Sequence, residues 1–307
     1  MVIRDSEVLM PPPSRGLTRR GLIKGGLGLV GAAGLTMPAT AAYAAREAAE
    51  DLTITHYRLN PPRWPKGQRL SICVIADIHA GGPNMGLARV RQVVDAGNAL
   101  KCDLIVLLGD YFATHRFVTE HVSPPQWAGE IKRLAAPLGV YSIYGNHDWW
   151  HDIEGVRKAL RDVRIPAMQN DAVLLGEKGN RFWLAGLGDQ LAHWIGPSQF
   201  IGVYDLPGTL KQLTTDDPVI LLAHEPDIFV RVPERVSLTL AGHTHGGQIK
   251  LPLIPPIWAP TEYLRFAYGH IVERGRHMIV SGGLGCSKVP MRLGVPPEIL
   301  RIDLGSA

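Results

Sequence analysis

Five short apolar stretches each end in a small group of polar residues, and this repeated pattern limits the folds open to the chain. Each stretch has the length of a strand that is buried on both faces, and segments with helical spacing separate the first three. A strand–helix–strand order requires parallel strands with right-handed crossovers. The carboxyl ends of such strands point to one crevice. The polar groups are therefore expected to converge, although many residues separate them.

The apolar periodicity predicts one α/β domain without internal repeats or a low-complexity linker. With 46% apolar and 20% charged residues, the chain can bury a large core, which excludes disorder. A short strand is expected near residues 52–59 after a mobile start, and short strands separated by Gly and Pro are expected in 263–304. Further strands are predicted at 70–76, 104–108, 140–144, 172–175, 181–186, 218–223 and 237–241, and helices at about 87–100, 126–136 and 153–163.

The first 44 residues have the order of an export signal: a basic start, a weakly apolar run and a small-residue cleavage site, Ala42-Tyr43-Ala44. The segment Thr18–Lys24 is similar to the twin-arginine (Tat) consensus. We therefore expect a Tat signal peptide at 1–44, an N-terminal extension at 45–69 and the main domain at 70–307. The apolar run is shorter than the roughly 20 residues of a membrane span. A disordered basic tail is the other reading, and retention of the signal as an anchor stays open.

This assignment predicts that the Tat machinery exports the folded protein to the periplasm or another extracytoplasmic location. It also accounts for the net charge of +4 and the pI near 9.0. Residues 1–44 hold five basic and two acidic side chains, which leaves 27 basic and 26 acidic ones in the rest. The remaining chain is nearly neutral, so no nucleic-acid partner is expected. Three Cys residues cannot form a disulfide framework, and Cys73 and Cys102 are expected to be buried.

The polar groups have the residue types of a metal centre, because carboxylates and imidazoles are the usual ligands of zinc, manganese and iron. Two of them, Asp77-x-His79 and His243-x-His245, are expected to place both side chains on one side of an extended segment. Taken singly, each group has another reading as a turn, a helix cap or an ordinary buried histidine. Their ordered occurrence favours a site with two metal ions. The groups are Asp77-Ile78-His79, Gly109-Asp110, Gly145-Asn146-His147-Asp148, His224 and Gly242-His243-Thr244-His245.

This ordered set resembles the signature of the calcineurin-like metallophosphoesterases, and the resemblance covers roughly residues 70–304. It implies a four-layer α-β-β-α fold in which two mixed sheets pack together between helices. It also implies two divalent ions, Mn, Zn or Fe. The first ion would be held by Asp77, His79, Asp110 and His245, and the second by Asp110, Asn146, His224 and His243, with Asp110 bridging. Such ions would supply hydroxide at neutral pH and neutralise phosphoryl charge.

The resemblance also implies catalytic roles for two residues that are not metal ligands. His147 is expected to stabilise or protonate the leaving oxygen. Asp148 is expected to orient His147 through the ring N–H. The implied activity is hydrolysis of phosphate esters, with a phosphodiester substrate favoured. A phosphomonoester, or a lipid-linked pyrophosphate such as UDP-diacylglucosamine, is the alternative, and a non-catalytic metal-binding scaffold is disfavoured because His147 is present.

Three further features allow two readings each. Trp149 and Trp150 either line the substrate cleft or pack the following helix. The Pro-rich segment Leu251–Pro260 either packs on the core or forms an apolar lip for an acyl chain or a membrane surface. Arg292 either contacts a phosphate or makes a surface salt bridge. If the Pro-rich segment forms an apolar lip, peripheral contact with a membrane is expected to be part of the function.

Overall fold

The computed structural model of the protein describes residues 39–250, 254 and 256–305. Most of the predicted signal peptide and part of the Pro-rich segment lie outside these residues. The predicted strands and helices are confirmed within one or two residues at most ends. The exception is the second predicted helix, which ends at Ile131 instead of near residue 136.

The first sheet has five strands in the order β1-β13-β2-β3-β4. Strands β2, β3 and β4 are mutually parallel, β13 runs antiparallel to β2, and β1 pairs parallel to β13. Their bounds are β1 Thr53–Leu59, β2 Leu70–Ile75, β3 Leu104–Leu107, β4 Val140–Ser142 and β13 Glu298–Leu304. The last strand, β13, therefore lies between the first two strands, β1 and β2.

The second sheet has six strands in the order β11-β12-β10-β9-β6-β5. The four central strands are parallel, and the two edge strands are antiparallel to their neighbours. A separate hairpin, β7 His193–Gly196 with β8 Gln199–Ile201, precedes β9 in the chain. The sheet bounds are β5 Asp171–Leu175, β6 Phe182–Gly186, β9 Val219–Leu222, β10 Leu238–Ala241, β11 Gly269–Glu273 and β12 Arg276–Val280.

The two sheets pack face to face. One apolar cluster joins Val74 and Val106 of the first sheet to Leu184, Leu222 and Leu240 of the second. The opposite face of the first sheet is covered by helices, as is that of the second. The helices are α1 (residues 39–50), α2 Leu87–Ala99, α3 Pro124–Ile131, α4 Asn146–His151, α5 Ile153–Asp162 and α6 Leu206–Lys211. The four-layer α-β-β-α prediction is confirmed.

The chain before β1 is helical, whereas a mobile start was expected. Residues 39–50 are rich in alanine, the strongest helix former, which explains the helix. Ala44 and Ala48 are buried, and the Arg292 amide donates a hydrogen bond of 2.9 Å to the carbonyl of Ala44. The helix is therefore docked on the domain at the predicted cleavage site. Among the described residues, no helix is both long and apolar enough to cross a membrane.

Candidate metal centre

The carboxyl ends of the parallel strands of both sheets meet at one place, as the sequence pattern predicts. Asp77 follows β2, Asp110 follows β3 and Asn146 follows β4 in the first sheet, while His224 follows β9 and His243 follows β10 in the second. All seven predicted ligands are buried and converge on one cluster. The packing of the two sheets, rather than either sheet alone, creates this site.

Three of the ligands form one side of the cluster. The Nε2 atoms of His79 and His245 lie 3.2 Å apart, with their rings stacked at 5.0 Å between centroids. The Asp77 Oδ1 atom is 3.8 Å from His245 Nε2. Two ring nitrogens and a carboxylate that face one another in this way can share a single cation.

Three other ligands form the second side. Asn146 Oδ1 lies 2.8 Å from His243 Nδ1 and 3.1 Å from His224 Nε2. Asp110 stands between the two sides, because its Oδ2 atom is 3.4 Å from His79 Nε2 and 3.3 Å from His224 Nε2. Asp110 is therefore in the position that a bridging ligand requires.

The Oδ1 atom of each carboxylate holds the loops together. Asp77 Oδ1 accepts a hydrogen bond of 2.9 Å from the His243 amide, and Asp110 Oδ1 accepts one of 2.9 Å from the His147 amide. The Oδ2 atoms of Asp77 and Asp110 are buried and have no hydrogen-bond partner within the described residues. Buried carboxylate oxygens are costly to leave unpaired, so both fit a cation.

The backbone at the ligands is left-handed, not extended. Asp77, His79, Asp110, His243 and His245 all have positive φ, between 42° and 68°. The expectation that Asp77-x-His79 and His243-x-His245 are extended segments is wrong. Positive φ is unfavourable for residues with a side chain and concentrates at functional sites. Both side chains of each pair still face the cluster, but turns rather than a strand place them there.

Burial sets the protonation of the ligands. It raises the pKa of Asp77 to about 7 and lowers the pKa of His79 to about 3 and of His243 to about 4. Burial also raises the pKa of Asp110, but the rings of His224 and His147 hold it well below its ordinary value. Burial lowers the pKa of His224, but Asp110 raises it well above its ordinary value, so this ring must lose a proton before it binds a metal ion. Neutral imidazoles and ionised carboxylates are the forms that bind metal ions. The donor set therefore fits two divalent ions.

Close packing requires glycine beside the ligands. A Cβ atom on Gly145 would collide with Asp110 Oδ1 and would lie 2.6 Å from Cε1 of His224. Glycine at this position therefore lets the β4 loop pass between ligands of both sides, which explains the Gly-Asn-His-Asp order in the sequence.

His147 is placed as its predicted role requires, but Asp148 is not. His147 is only half-buried, a ring nitrogen lies within 4.8 Å of ligand atoms of His79 and Asp110, and its Nδ1 contacts the Thr114 hydroxyl at 2.5 Å. Asp148 accepts hydrogen bonds from the amides of Asp110, Tyr111 and Gly145, each at 2.9 Å, and makes none with His147. The prediction that Asp148 orients the ring is therefore wrong. Asp148 instead fixes the two loops that carry Asp110 and Asn146.

Three residues near the cluster were missed by the sequence reasoning. Thr114 contacts His147, and Glu225 offers an oxygen within 4.8 Å of nitrogens of His224 and His243. Burial and Glu225 raise the pKa of Asp189 well above its ordinary value. Asp189 closely follows β6, so the rule that polar groups end strands could have found it. No sequence signal marks Thr114.

The remaining ambiguous residues have definite places. Trp149 packs against the core beside α5 and also lines a cleft, and Trp150, which is 38% exposed, lines the same cleft. The two readings of these residues therefore do not exclude each other. Arg292 is fully buried and donates a hydrogen bond of 3.1 Å to His245 Nδ1. Both readings of Arg292, a phosphate contact and a surface salt bridge, are wrong.

In the described part of the Pro-rich segment, Ile257 and Trp258 are 75% and 52% exposed. This exposure favours the apolar-lip reading over a loop packed on the core.

Two face-to-face mixed sheets with Asp, Asn and His side chains at their shared edge define an α/β protein with a candidate metal centre. The profile of the calcineurin-like phosphoesterase family matches residues 70–247. The chain belongs to this family, and it is a hydrolase that acts on phosphoester bonds. Members generally use a binuclear metal centre, in agreement with the two-sided cluster.

Relatives match most of the chain. The metallophosphoesterase YkuE of Bacillus subtilis is 30% identical over 294 residues, which cover 94% of this chain and 98% of YkuE. The phosphodiesterase YaeI of Escherichia coli is 29% identical over 237 residues, which cover 76% of this chain and 81% of YaeI. A transmembrane protein with a metallophosphoesterase domain from Danio rerio is 31% identical over 246 residues, 78% of this chain but 54% of that protein.

Proposed function

We propose that this metallophosphoesterase hydrolyses phosphodiesters outside the cytoplasmic membrane. The observation that carries the proposal is the convergence of all seven predicted ligands with His147 at the edge of the cluster. The similarity to a phosphodiesterase of Escherichia coli supports the diester class. The non-catalytic alternative is disfavoured, because a scaffold has no need of an imidazole that faces both the ligands and solvent.

Each ligand has one proposed assignment. Asp77, His79, Asp110 and His245 hold one divalent ion, and Asp110, Asn146, His224 and His243 hold the other. When bound, the two ions supply Lewis-acid activation of water and neutralise phosphoryl charge. Mn, Zn and Fe all fit this donor set, because it combines imidazoles with oxygen ligands and contains no thiolate.

His147 is proposed to hold a proton at the leaving oxygen of the substrate. Its half-exposed ring adjoins the ligand shell, and burial lowers its pKa. A lower pKa makes the protonated ring a stronger acid toward the leaving oxygen, although less of the ring is protonated at neutral pH. The Thr114 hydroxyl fixes the rotation of the ring through Nδ1. The role of Asp148 is indirect. Its carboxylate accepts hydrogen bonds from the backbone amides of Asp110 and Gly145 and so holds in place the loop that carries His147.

A lipid-linked substrate is the second candidate, and the apolar lip favours it. Ile254, Ile257 and Trp258 are exposed. Trp258 lines a cavity of about 160 Å³ together with Lys288 and the metal-ligand candidate His245. The Lys288 ammonium lies 3.9 Å from the centre of the Trp258 ring. An apolar lip with a cation suits an acyl-bearing anionic substrate or peripheral contact with a membrane.

Export by the Tat machinery is proposed from residues 18–24, which lie outside the described part of the chain. The docking of the α1 helix affects whether the signal can be cleaved, because Ala44, the last residue of the predicted signal, is buried in the folded domain. Replacement of Arg19 and Arg20 by lysine should leave the protein in the cytoplasm on cell fractionation. The N-terminal mass of exported protein then distinguishes cleavage after Ala44 from a retained signal.

A substrate panel tests the activity. The purified protein, supplied with Mn²⁺, Zn²⁺ or Fe²⁺, is assayed with bis(p-nitrophenyl) phosphate, p-nitrophenyl phosphate, phospholipids and nucleotide-linked lipids. We expect hydrolysis of the diester to exceed that of the monoester. Preference for p-nitrophenyl phosphate would overturn the diester assignment. Two bound metal ions without turnover of any substrate would instead favour the scaffold.

A further inference from the structure

A second cleft, of about 550 Å³, adjoins the metal centre on the side of His147. None of the seven ligands lines it. No Lys, Arg, Asp or Glu side chain is among its lining residues. They are Trp149, Trp150, His151, Ala192, His193, Trp194 and Phe200.

The walls of the cleft are flat and held in place. The Trp150 and Phe200 rings stack at 5.3 Å with 19° between their planes. The Trp150 indole N–H donates a hydrogen bond of 2.8 Å to the carbonyl of Leu191, which fixes the ring at the base of the β7–β8 hairpin. Trp194, on the same hairpin, is 68% exposed although it is a large aromatic residue. The fixed pair of Trp150 and Phe200, together with the exposed indole of Trp194, is suited to stacking against a planar group of a ligand.

The cleft is continuous with the reaction centre through His147. The His147 ring lies 5.2 Å from Trp150 and 6.0 Å from His151, between ring centroids. On its other side the same ring lies 5.0 Å from His79, a metal-ligand candidate. A substituent on the oxygen that His147 faces would therefore extend over Trp150.

We propose that this cleft binds the leaving group of the phosphodiester substrate, and that this group carries an uncharged aromatic ring. The inference rests on the proposed function. A charged leaving group is disfavoured, because the described residues give the cleft no Lys, Arg, Asp or Glu side chain, and only the imidazoles of His151 and His193 could replace lost hydration. An aromatic ring is favoured over an alkyl chain, because stacked ring faces give planar groups additional attraction.

The test compares two leaving groups that differ in planarity but have similar size and alcohol acidity. Full-length, metal-loaded protein is assayed for release of alcohol from benzyl methyl phosphate and from cyclohexylmethyl methyl phosphate. We expect kcat/KM to be about tenfold higher for the benzyl ester. Trp150→Ala should remove this preference, and Trp150→Phe should keep most of it. Phe117→Ala is the matched control, because Phe117 is 42% exposed and does not line the cleft.

A binding measurement supplies a readout that needs no turnover. Benzyl(methyl)phosphinic acid has two P–C bonds and no ester bond, so it cannot release an alcohol, and its binding can be followed by isothermal titration calorimetry. Weaker binding to Trp150→Ala than to Phe117→Ala supports the proposal. Equal preference for the benzyl ester in wild type and Trp150→Ala, or preference for the cyclohexyl ester, overturns it. If the proposed function fails instead, no variant releases either alcohol or hydrolyses bis(p-nitrophenyl) phosphate.

Discussion

The Arg292 guanidinium donates to Nδ1 of His245, on the opposite side of the ring from the Nε2 atom that faces His79. A guanidinium has no acceptor, so the Nδ1 atom must keep its lone pair toward Arg292, and Nε2 can offer a lone pair to a cation only after the ring loses its N–H proton. The same guanidinium donates to the carbonyls of Gly285 and Val295. Arg292 thus links the C-terminal loops to the orientation of one metal ligand.

Loss of this contact is expected to weaken one metal site. Arg292→Lys keeps a cation but cannot reach both carbonyls and the ring, so His245 loses its orientation. We expect the affinity for one of the two ions to fall about 10–100-fold, as for other outer-sphere partners of ligating histidines. Isothermal titration calorimetry with Zn²⁺ or Mn²⁺ measures both sites.

Folding must be separated from metal binding in this experiment, because Arg292 is fully buried. Circular dichroism of metal-free Arg292→Lys and wild type provides the control. A folded Arg292→Lys protein that binds two ions with unchanged affinity would contradict the positioning role.

Asp110 is expected to be the ligand on which both ions depend. In Asp110→Asn the oxygen that lies within 3.4 Å of both His79 and His224 loses its charge. We expect metal content after dialysis to fall at both sites and hydrolysis to fall by about a hundredfold or more. Inductively coupled plasma mass spectrometry reports the metal content. Asp95→Asn serves as the control, since Asp95 is an exposed carboxylate paired only with Arg133.

His147→Ala is expected to separate catalysis from metal binding. His147 lies beside the cluster but is not among the proposed ligands, so both ions should remain. Loss of a general acid lowers the rate by roughly 10²–10⁴-fold. Thr114→Val removes only the hydroxyl that contacts the ring, and a smaller loss is expected. Unchanged turnover by metal-replete His147→Ala would refute the assigned role.

Metal affinity should depend on pH through Asp77. Its pKa is raised to about 7, so a proton occupies the carboxyl below that pH and must leave before a cation binds. Affinity at this site is therefore expected to fall about tenfold per pH unit as the pH drops below 7. His79 and His243, with pKa values lowered to about 3 and 4, stay neutral and add no competing proton in this range.

Competition with a chromogenic chelator between pH 5.5 and 8 measures this dependence in metal-free protein. Asp77→Asn supplies the comparison, because its amide does not titrate. This variant should bind more weakly with a flatter pH profile. Equal slopes for the two proteins would show that another group carries the dependence.

The strand pattern was predictable because it depends on local periodicity and burial. Continuous apolar runs such as 70–76 and 218–223 can bury both faces only in the interior of a sheet, and the structure places them there. Their polar ends were predicted to converge because the carboxyl ends of parallel strands lie at the same edge of a sheet. The resemblance to a family added the division of the ligands between two ions.

The errors have one physical cause, which is that side-chain contacts depend on loop conformation. Asp77-x-His79 was predicted to be extended because two ligands that are two residues apart lie on the same side of a strand. Positive φ at both residues instead bends the chain. The resemblance to the family assigned Asp148 to His147, whereas its oxygens face three backbone amides. Arg292 carries a charge that normally stays at the surface, yet two carbonyls and His245 bury it.

The sequence by itself determined the strand segments and the candidate ligands, because these depend on residue type and on spacing along the chain. The resemblance of its motifs to a known family indicated the phosphoesterase class. Only the tertiary structure decided which atoms meet. Packing of two separate sheets brings Asp110 within reach of both His79 and His224, and the β7–β8 hairpin lays Phe200 on Trp150 beside His147. Such contacts join distant segments, and no local pattern along the chain specifies them.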